Sequence, residues 1–126
     1  MLNILVVDDD VRIRRFLGRV LVKAGYQVAE AANGLEALTI LKTDDVDGII
    51  TDVFMPEMDG MELIRAARKI DQQLIIIAVS GGYKRYNGSM LKPAKMLGAD
   101  HTIKKPVDAT ELLDLIRRLI PLSAET

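Results

Sequence analysis

The chain has 126 residues, no cysteine and a formal net charge of -1. That length fits one domain, the missing thiols exclude a disulfide framework and any thiolate metal site, and the near-neutral charge provides no global field for nucleic acid. No apolar run approaches the ~20 residues of a membrane-spanning helix, and MLNILVVDDD turns acidic where a secretory signal would carry its apolar stretch. A cytoplasmic protein without membrane or direct nucleic-acid contact is expected.

Ile4-Leu5-Val6-Val7 is a short apolar run rich in β-branched residues, ending at Asp8-Asp9-Asp10, and predicts a strand buried on both faces. Ile13, Leu17, Val20, Leu21 and Ala24 recur at helical spacing, and Gly25 supplies a stop. Tyr26–Ala31 predicts a second strand, Asn33 caps a helix carrying Leu35, Leu38 and Leu41, and Gly48–Thr51 predicts a third strand ending on Asp52. Pro56 and Gly60 punctuate a loop, and Met61, Leu63, Ile64 and Ala67 give an amphipathic helix. Leu74–Val79 is the clearest buried strand and ends at Ser80-Gly81-Gly82. Over Tyr83–Gly98 a loop followed by a late or kinked helix is expected, because Pro93 interrupts the pattern of Met90, Leu91, Ala94 and Leu97. His101–Lys104 is a fifth strand, and Asp108 with Glu111 opens a last helix that Pro121 ends.

Five alternating βα units imply a parallel sheet covered by helices on both faces. Ligands of such sheets bind at the carboxyl ends of the strands. Those ends carry Asp8, Asp9 and Asp10, then Asp52, Ser80 and Lys105, while strand two contributes no comparable group. Two carboxylates ~5 Å apart repel by roughly 3 kcal/mol at an effective dielectric near 20. A hard divalent cation such as Mg2+ offsets that repulsion, and Lys105 adds a second positive charge. With the Ser80 hydroxyl, these groups suit transfer of a phosphoryl group to a nucleophilic carboxylate.

The motifs ILVVDDD, TDVFMPEMDG, AVSGG and KKP, in this order, resemble those of bacterial response-regulator receiver domains, and the resemblance covers essentially the whole chain. It implies a flavodoxin-like doubly wound (βα)5 fold with a five-stranded parallel sheet of order 2-1-3-4-5. It makes Asp52 the phosphoacceptor, Asp9 a direct ligand of Mg2+ or Mn2+, Asp8 an acid binding the metal chiefly through water, and Asp52 and the Phe54 carbonyl further metal ligands. Ser80 becomes the switch hydroxyl, Lys105 the phosphate-contacting lysine, and Pro106 the proline after a cis peptide. The implied partners are a histidine kinase or histidine phosphotransfer protein and a downstream protein target. The protein would be a monomer or a weak phosphorylation-dependent dimer. The implied product is a switch, acting around the fourth helix, fifth strand and last helix, that catalyses only its own phosphorylation and dephosphorylation. A receiver domain over 1–122 and a short tail over 123–126, without an output domain, are expected.

Three positions depart from the family's common pattern. Phe54 stands where relatives often carry a polar residue, and Gly82 where relatives vary; both positions tune how water reaches the acyl phosphate. Thr102 replaces the aromatic residue of the usual rotamer switch, so the loop containing Gly81 and Gly82 is expected to carry the signal instead. A haloacid-dehalogenase-like phosphatase would have a second Asp where Phe54 stands, and a flavodoxin-like nucleotide or flavin binder would need a Gly-rich phosphate loop that is missing. A degenerate receiver is at odds with the intact Asp8, Asp9, Asp52, Ser80 and Lys105 set. Elsewhere the plain readings hold: Asp10 and Asp59 as helix caps, His101 as structural or exposed, Lys104 and the stretch Lys84, Arg85, Lys92 and Lys95 as solvated, and Met55, Met58 and Met61 as packing residues.

Overall fold

The computed structural model describes residues 2–53, 60–80 and 98–122, with the Ser80 side chain left aside. In chain order the described elements are β1 (Asn3–Val7), α1 (Val11–Lys23), β2 (Gln27–Ala31), α2 (Gly34–Thr43), β3 (Gly48–Asp52), α3 (Gly60–Ile70), β4 (Ile75–Ser80), β5 (His101–Lys104) and α4 (Ala109–Leu119). The helix expected late in Tyr83–Gly98 falls on residues 81–97, outside the described residues.

Side-chain caps set the helix starts. The Asp10 carboxylate accepts from the Arg12 amide at 2.9 Å. Asn33 Oδ1 accepts from the Glu36 amide at 2.9 Å while Glu36 Oε1 accepts from the Ala32 amide at 3.0 Å. Asp108 Oδ1 accepts from the amides of Thr110 and Glu111 at 2.8 and 3.2 Å. These side-chain oxygens satisfy N–H groups that have no partner within the helix. At the end of α1, Gly25 takes a left-handed φ of +105°. The Gly25 and Tyr26 amides donate back to the Val22 and Leu21 carbonyls at 3.0 and 3.1 Å, a glycine-terminated stop.

All strand pairs are parallel, and the sheet order is β2-β1-β3-β4-β5. Alternate residues of one strand enter opposite cores. Leu5, Val7, Ile49, Ile76 and Ala78 pack with Ala37, Leu63, Ile64 and Ala67 of α2 and α3. Ile4, Val6, Ile50, Ile77, Val79 and Ile103 pack with Leu17, Leu21, Leu112, Leu115 and Ile116 of α1 and α4. The uninterrupted apolar runs follow from this, since both faces of each central strand are covered. Each buried Leu or Ile contributes about 1.5–3 kcal/mol, so two packed layers rather than helix propensity hold the domain.

Because every strand runs the same way, one sheet edge collects every carboxyl end. Val7 pairs with Thr51, Asp52 with Val79, and Ser80 with Lys104. That register brings the residues just after β1 beside the last residue of β3 and opposite the residue just after β5.

Candidate functional site

Asp8 leaves β1 with its amide still donating to the Ala31 carbonyl of β2 at 3.2 Å. Its side chain turns back, and Oδ1 accepts from the Asp10 amide at 2.9 Å. Asp52 ends β3, where the next amide, that of Val53, continues the ladder to the Val79 carbonyl at 2.9 Å. The Thr51 hydroxyl donates to the Asp52 carbonyl at 3.0 Å. Both carboxylates sit on rigid strand ends, with Asp8 2% and Asp52 6% exposed, while Asp9 is exposed.

Lys105, just past β5, places Nζ 3.0 Å from Asp8 Oδ2 and 3.0 Å from Asp52 Oδ2. The peptide between Lys105 and Pro106 is cis. Burial lifts the Asp8 carboxyl above the ordinary aspartate range, against the pull of the Asp10 amide and Lys105. Burial works the other way on the Lys105 ammonium, but the neighbouring Asp52 and Asp8 carboxylates more than offset it, and its pKa lies above the usual lysine value. One cation bridging two buried anions is the arrangement that lets carboxylates stay ionised in a low dielectric.

Carboxylate oxygens of Asp8, Asp9 and Asp52 lie within 4.8 Å of one another, the only such acidic group among the described residues. Three carboxylates against one ammonium leave a negative excess. An all-oxygen donor set with both buried and solvent-facing members fits a hard divalent cation that retains waters. The buried, strand-anchored carboxylate of Asp52 beside an ammonium can accept an electrophile whose negative charge Lys105 then meets.

Of the residues singled out in the sequence, Asp8, Asp9, Asp52 and Lys105 come together. Asp10 stands just outside as the α1 cap, its carboxyl held below the ordinary range by Arg12. Thr102 is a partly buried residue of β5 paired in register with Ala78 of β4. Met61 packs, partly buried, against the α2–α3 core. Phe54, Met55, Met58, Asp59 and Gly82 lie outside the described residues, as does the Ser80 side chain.

Two contributors were not evident from sequence. Gly60 begins α3 pressed against the Asp52–Val53 backbone, where a Cβ would fall on the Asp52 carbonyl oxygen and 2.6 Å from Val53 Cα. Arg14 donates through Nη1 to the Asp8 carbonyl at 2.8 Å and through Nε to Glu30 Oε1 of β2 at 3.3 Å. The available signal for Arg14 was its helical phase: it precedes Leu17, Gly18 and Leu21 on the buried face of α1, where a cation is out of place unless it has a task.

A doubly wound parallel sheet with an acid cluster and a bridging lysine at its carboxyl edge is the arrangement expected of a receiver domain, and comparison with known proteins agrees. The chain belongs to the response regulator receiver domain family, whose defining pattern matches residues 4–117. It is 36% identical to sporulation initiation phosphotransferase F of Bacillus subtilis, over 97% of this chain and 96% of that protein. It is also 36% identical to the response regulator receiver protein CpdR of Brucella abortus, over 95% of this chain and 98% of that one. Among solved structures, a CheY-like receiver domain protein of Methanospirillum hungatei superposes with a TM-score of 0.86 at 30% identity, covering 100% of this chain and 99% of that one. TrrA of Thermotoga maritima, in complex with Mg2+ and BeF, superposes at 0.82 with 32% identity, covering 95% of this chain and 100% of that one.

Proposed function

We propose that Asp52 accepts a phosphoryl group from the phosphohistidine of a kinase or histidine phosphotransfer protein, in a Mg2+-dependent reaction that alters affinity for a downstream protein. The observation carrying this is the Lys105 ammonium, 3.0 Å from the Asp52 and Asp8 carboxylates at the edge of the acid cluster. The name of the B. subtilis relative, a phosphotransferase, and the Mg2+–BeF complex of TrrA support the same reading.

An Asp52 oxygen forms the new O–P bond as the N–P bond of phosphohistidine breaks, and the electron pair returns to the imidazole nitrogen. The strand end holds the nucleophile in place, so little orientation is left to chance. Lys105 already lies at hydrogen-bond distance from Asp52 and can follow a phosphoryl oxygen attached there. Asp8, Asp9 and Asp52, with the Phe54 carbonyl, would hold Mg2+ (or Mn2+), which supplies charge neutralisation at the transferring group. Ser80 would donate its hydroxyl to the phosphoryl group. Phe54 and Gly82 would set how long it survives. Thr102, lacking a ring to swing, would leave switching to the segment after Ser80.

Incubation with a small-molecule phosphodonor and Mg2+, followed by intact mass spectrometry, tests this. One phosphoryl adduct is expected, absent in Asp52→Asn and blocked by a chelator. An adduct that persists in Asp52→Asn or without metal would overturn the assignment.

A further inference from the structure

We propose that Arg14 is a positioning residue for the Asp8–Asp9 pair, holding both carboxylates in the arrangement that binds a divalent cation. This rests on the reading of Asp8, Asp9 and Asp52 as the cation site. Asp9 is the exposed member of that cluster, and among the described residues its carboxylate accepts no hydrogen bond and forms no ion pair. Its placement therefore depends on the two peptides that flank it. Arg14 holds the first of them, its guanidinium Nη1 donating to the Asp8 carbonyl at 2.8 Å. The second is held by Asp8 itself, whose Oδ1 accepts from the Asp10 amide at 2.9 Å, so fixing Asp8 fixes both.

The Arg14 side chain is itself fixed. It is 16% exposed, and its Nε donates to Glu30 Oε1 on β2 at 3.3 Å. Strand two thus reaches the site through Glu30 and Arg14. The Asp8 amide bonded to Ala31 completes the hold on the chain just before the acids. A planar guanidinium presents its donors in a rigid fork, which here reaches a carbonyl and a carboxylate together. Groups of this kind, touching ligands rather than the metal, typically change metal affinity by about 10–100-fold when removed.

The sign of the effect separates positioning from charge. Arg14 is a cation beside a cation site, so Coulomb's law alone predicts that its removal tightens Mg2+ binding. Positioning predicts the reverse. The experiment is calorimetric titration of the unphosphorylated full chain with Mg2+, together with hydrogen exchange of the Asp10 amide, which donates to Asp8 Oδ1. Arg14→Met should bind Mg2+ about tenfold more weakly and exchange the Asp10 amide faster, with Arg14→Lys between it and wild type. Arg15→Met, which removes an exposed cation of the same helix, should bind as wild type or slightly tighter.

Mg2+ binding by Arg14→Met equal to or tighter than wild type overturns the proposal. If Arg14→Met does not fold by circular dichroism, Arg14→Lys decides at constant charge. Weaker binding with faster Asp10 exchange then supports positioning, and wild-type affinity overturns it. A wild-type protein that takes up no Mg2+ removes the cation site itself, whereas wild-type uptake matched by Arg14→Met removes only the role of Arg14.

Discussion

Gly60 passes so close to Asp52 that a single added carbon at Cα would collide with the Asp52 carbonyl oxygen. The Gly60 amide donates to the Val53 carbonyl at 2.9 Å, so the start of α3 is locked to the backbone beside the Asp52 carboxylate. The obstruction is backbone, which cannot rotate away. Gly60→Ala should therefore cost about 1–3 kcal/mol in urea unfolding and reduce the phosphoryl adduct seen by intact mass, because Asp52 must shift. Gly18→Ala is the contrasting case. Its Cβ would meet Val28 Cγ1 at 3.6 Å, ordinary packing in a helix interior, so stability should hold or rise by about 0.5 kcal/mol.

Lys105 separates two carboxylates that would otherwise face each other almost without water. Its side chain is 21% exposed, and those of Asp8 and Asp52 are 4% and 7% exposed. Lys105→Met should cost about 3 kcal/mol in Mg2+-free buffer, the penalty of leaving buried charge unpaired. Saturating Mg2+ should return much of that stability, since a ligand at about 100-fold its Kd stabilises the folded state by about 2.7 kcal/mol. Phosphorylation should nonetheless stay roughly 100-fold slower, because the cation proposed to meet the phosphoryl oxygens is gone. Thermal midpoints with and without Mg2+, and adduct formation over time, check both halves.

Much of this was legible in the chain. The uninterrupted runs Ile4–Val7 and Leu74–Val79 demanded coverage on both faces, and that alone forced a parallel sheet with helices on either side. The strand-end acids and Lys105 followed, because parallel strands deliver their ends to one edge. What remained hidden depends on elements distant in sequence meeting in the fold. Arg14 looks like one of several arginines of α1 until β2 brings Glu30 beside it. Gly60 reads as loop punctuation because nothing local says that the end of β3 will press on it. Tyr26 reads as a strand residue, although its hydroxyl ends at Ile120, 94 positions away.

The raised pKa of Asp8 makes a directional claim about pH. Burial, the largest influence, favours the protonated acid in the folded state relative to the unfolded chain. The folded state therefore binds more protons between the ordinary value of 3.8 and the raised one, and Asp8 withdraws stability as pH rises through that window. Lys105 acts at the other end. Its raised pKa contributes stability fully present below 10.5 and lost as pH climbs through the folded value. In Mg2+-free buffer Asp8→Asn should abolish the acidic-side component and shrink the alkaline one to what Asp52 sustains. It should also gain stability at neutral pH, since burial disfavours the ionised Asp8 carboxylate by more than the Asp10 amide and Lys105 favour it. Thermal midpoints of both proteins between about pH 4 and 11 give the comparison. A neutral-pH destabilisation in Asp8→Asn would mean that the Asp10 amide and Lys105 outweigh the cost of burying the carboxylate.

Tyr26 offers a site-free control on all of these. It is fully buried at the start of β2, and its hydroxyl donates to the Ile120 carbonyl at 2.6 Å, tying the amino edge of the sheet to the end of α4. Burial holds the phenol above its ordinary pKa, with Arg117 pulling weakly the other way. Tyr26→Phe keeps the ring and strands one buried carbonyl, so urea unfolding should show a destabilisation of about 1–3 kcal/mol. The acid cluster lies at the opposite edge of the parallel sheet, where β1 and β3 end, and shares no hydrogen bond with Tyr26. Mg2+ affinity and the phosphoryl adduct should therefore match wild type. If Tyr26→Phe instead fails to form the adduct while remaining folded, the two ends of the sheet are energetically coupled, and the site effects expected of Gly60→Ala and Lys105→Met would need correction for stability.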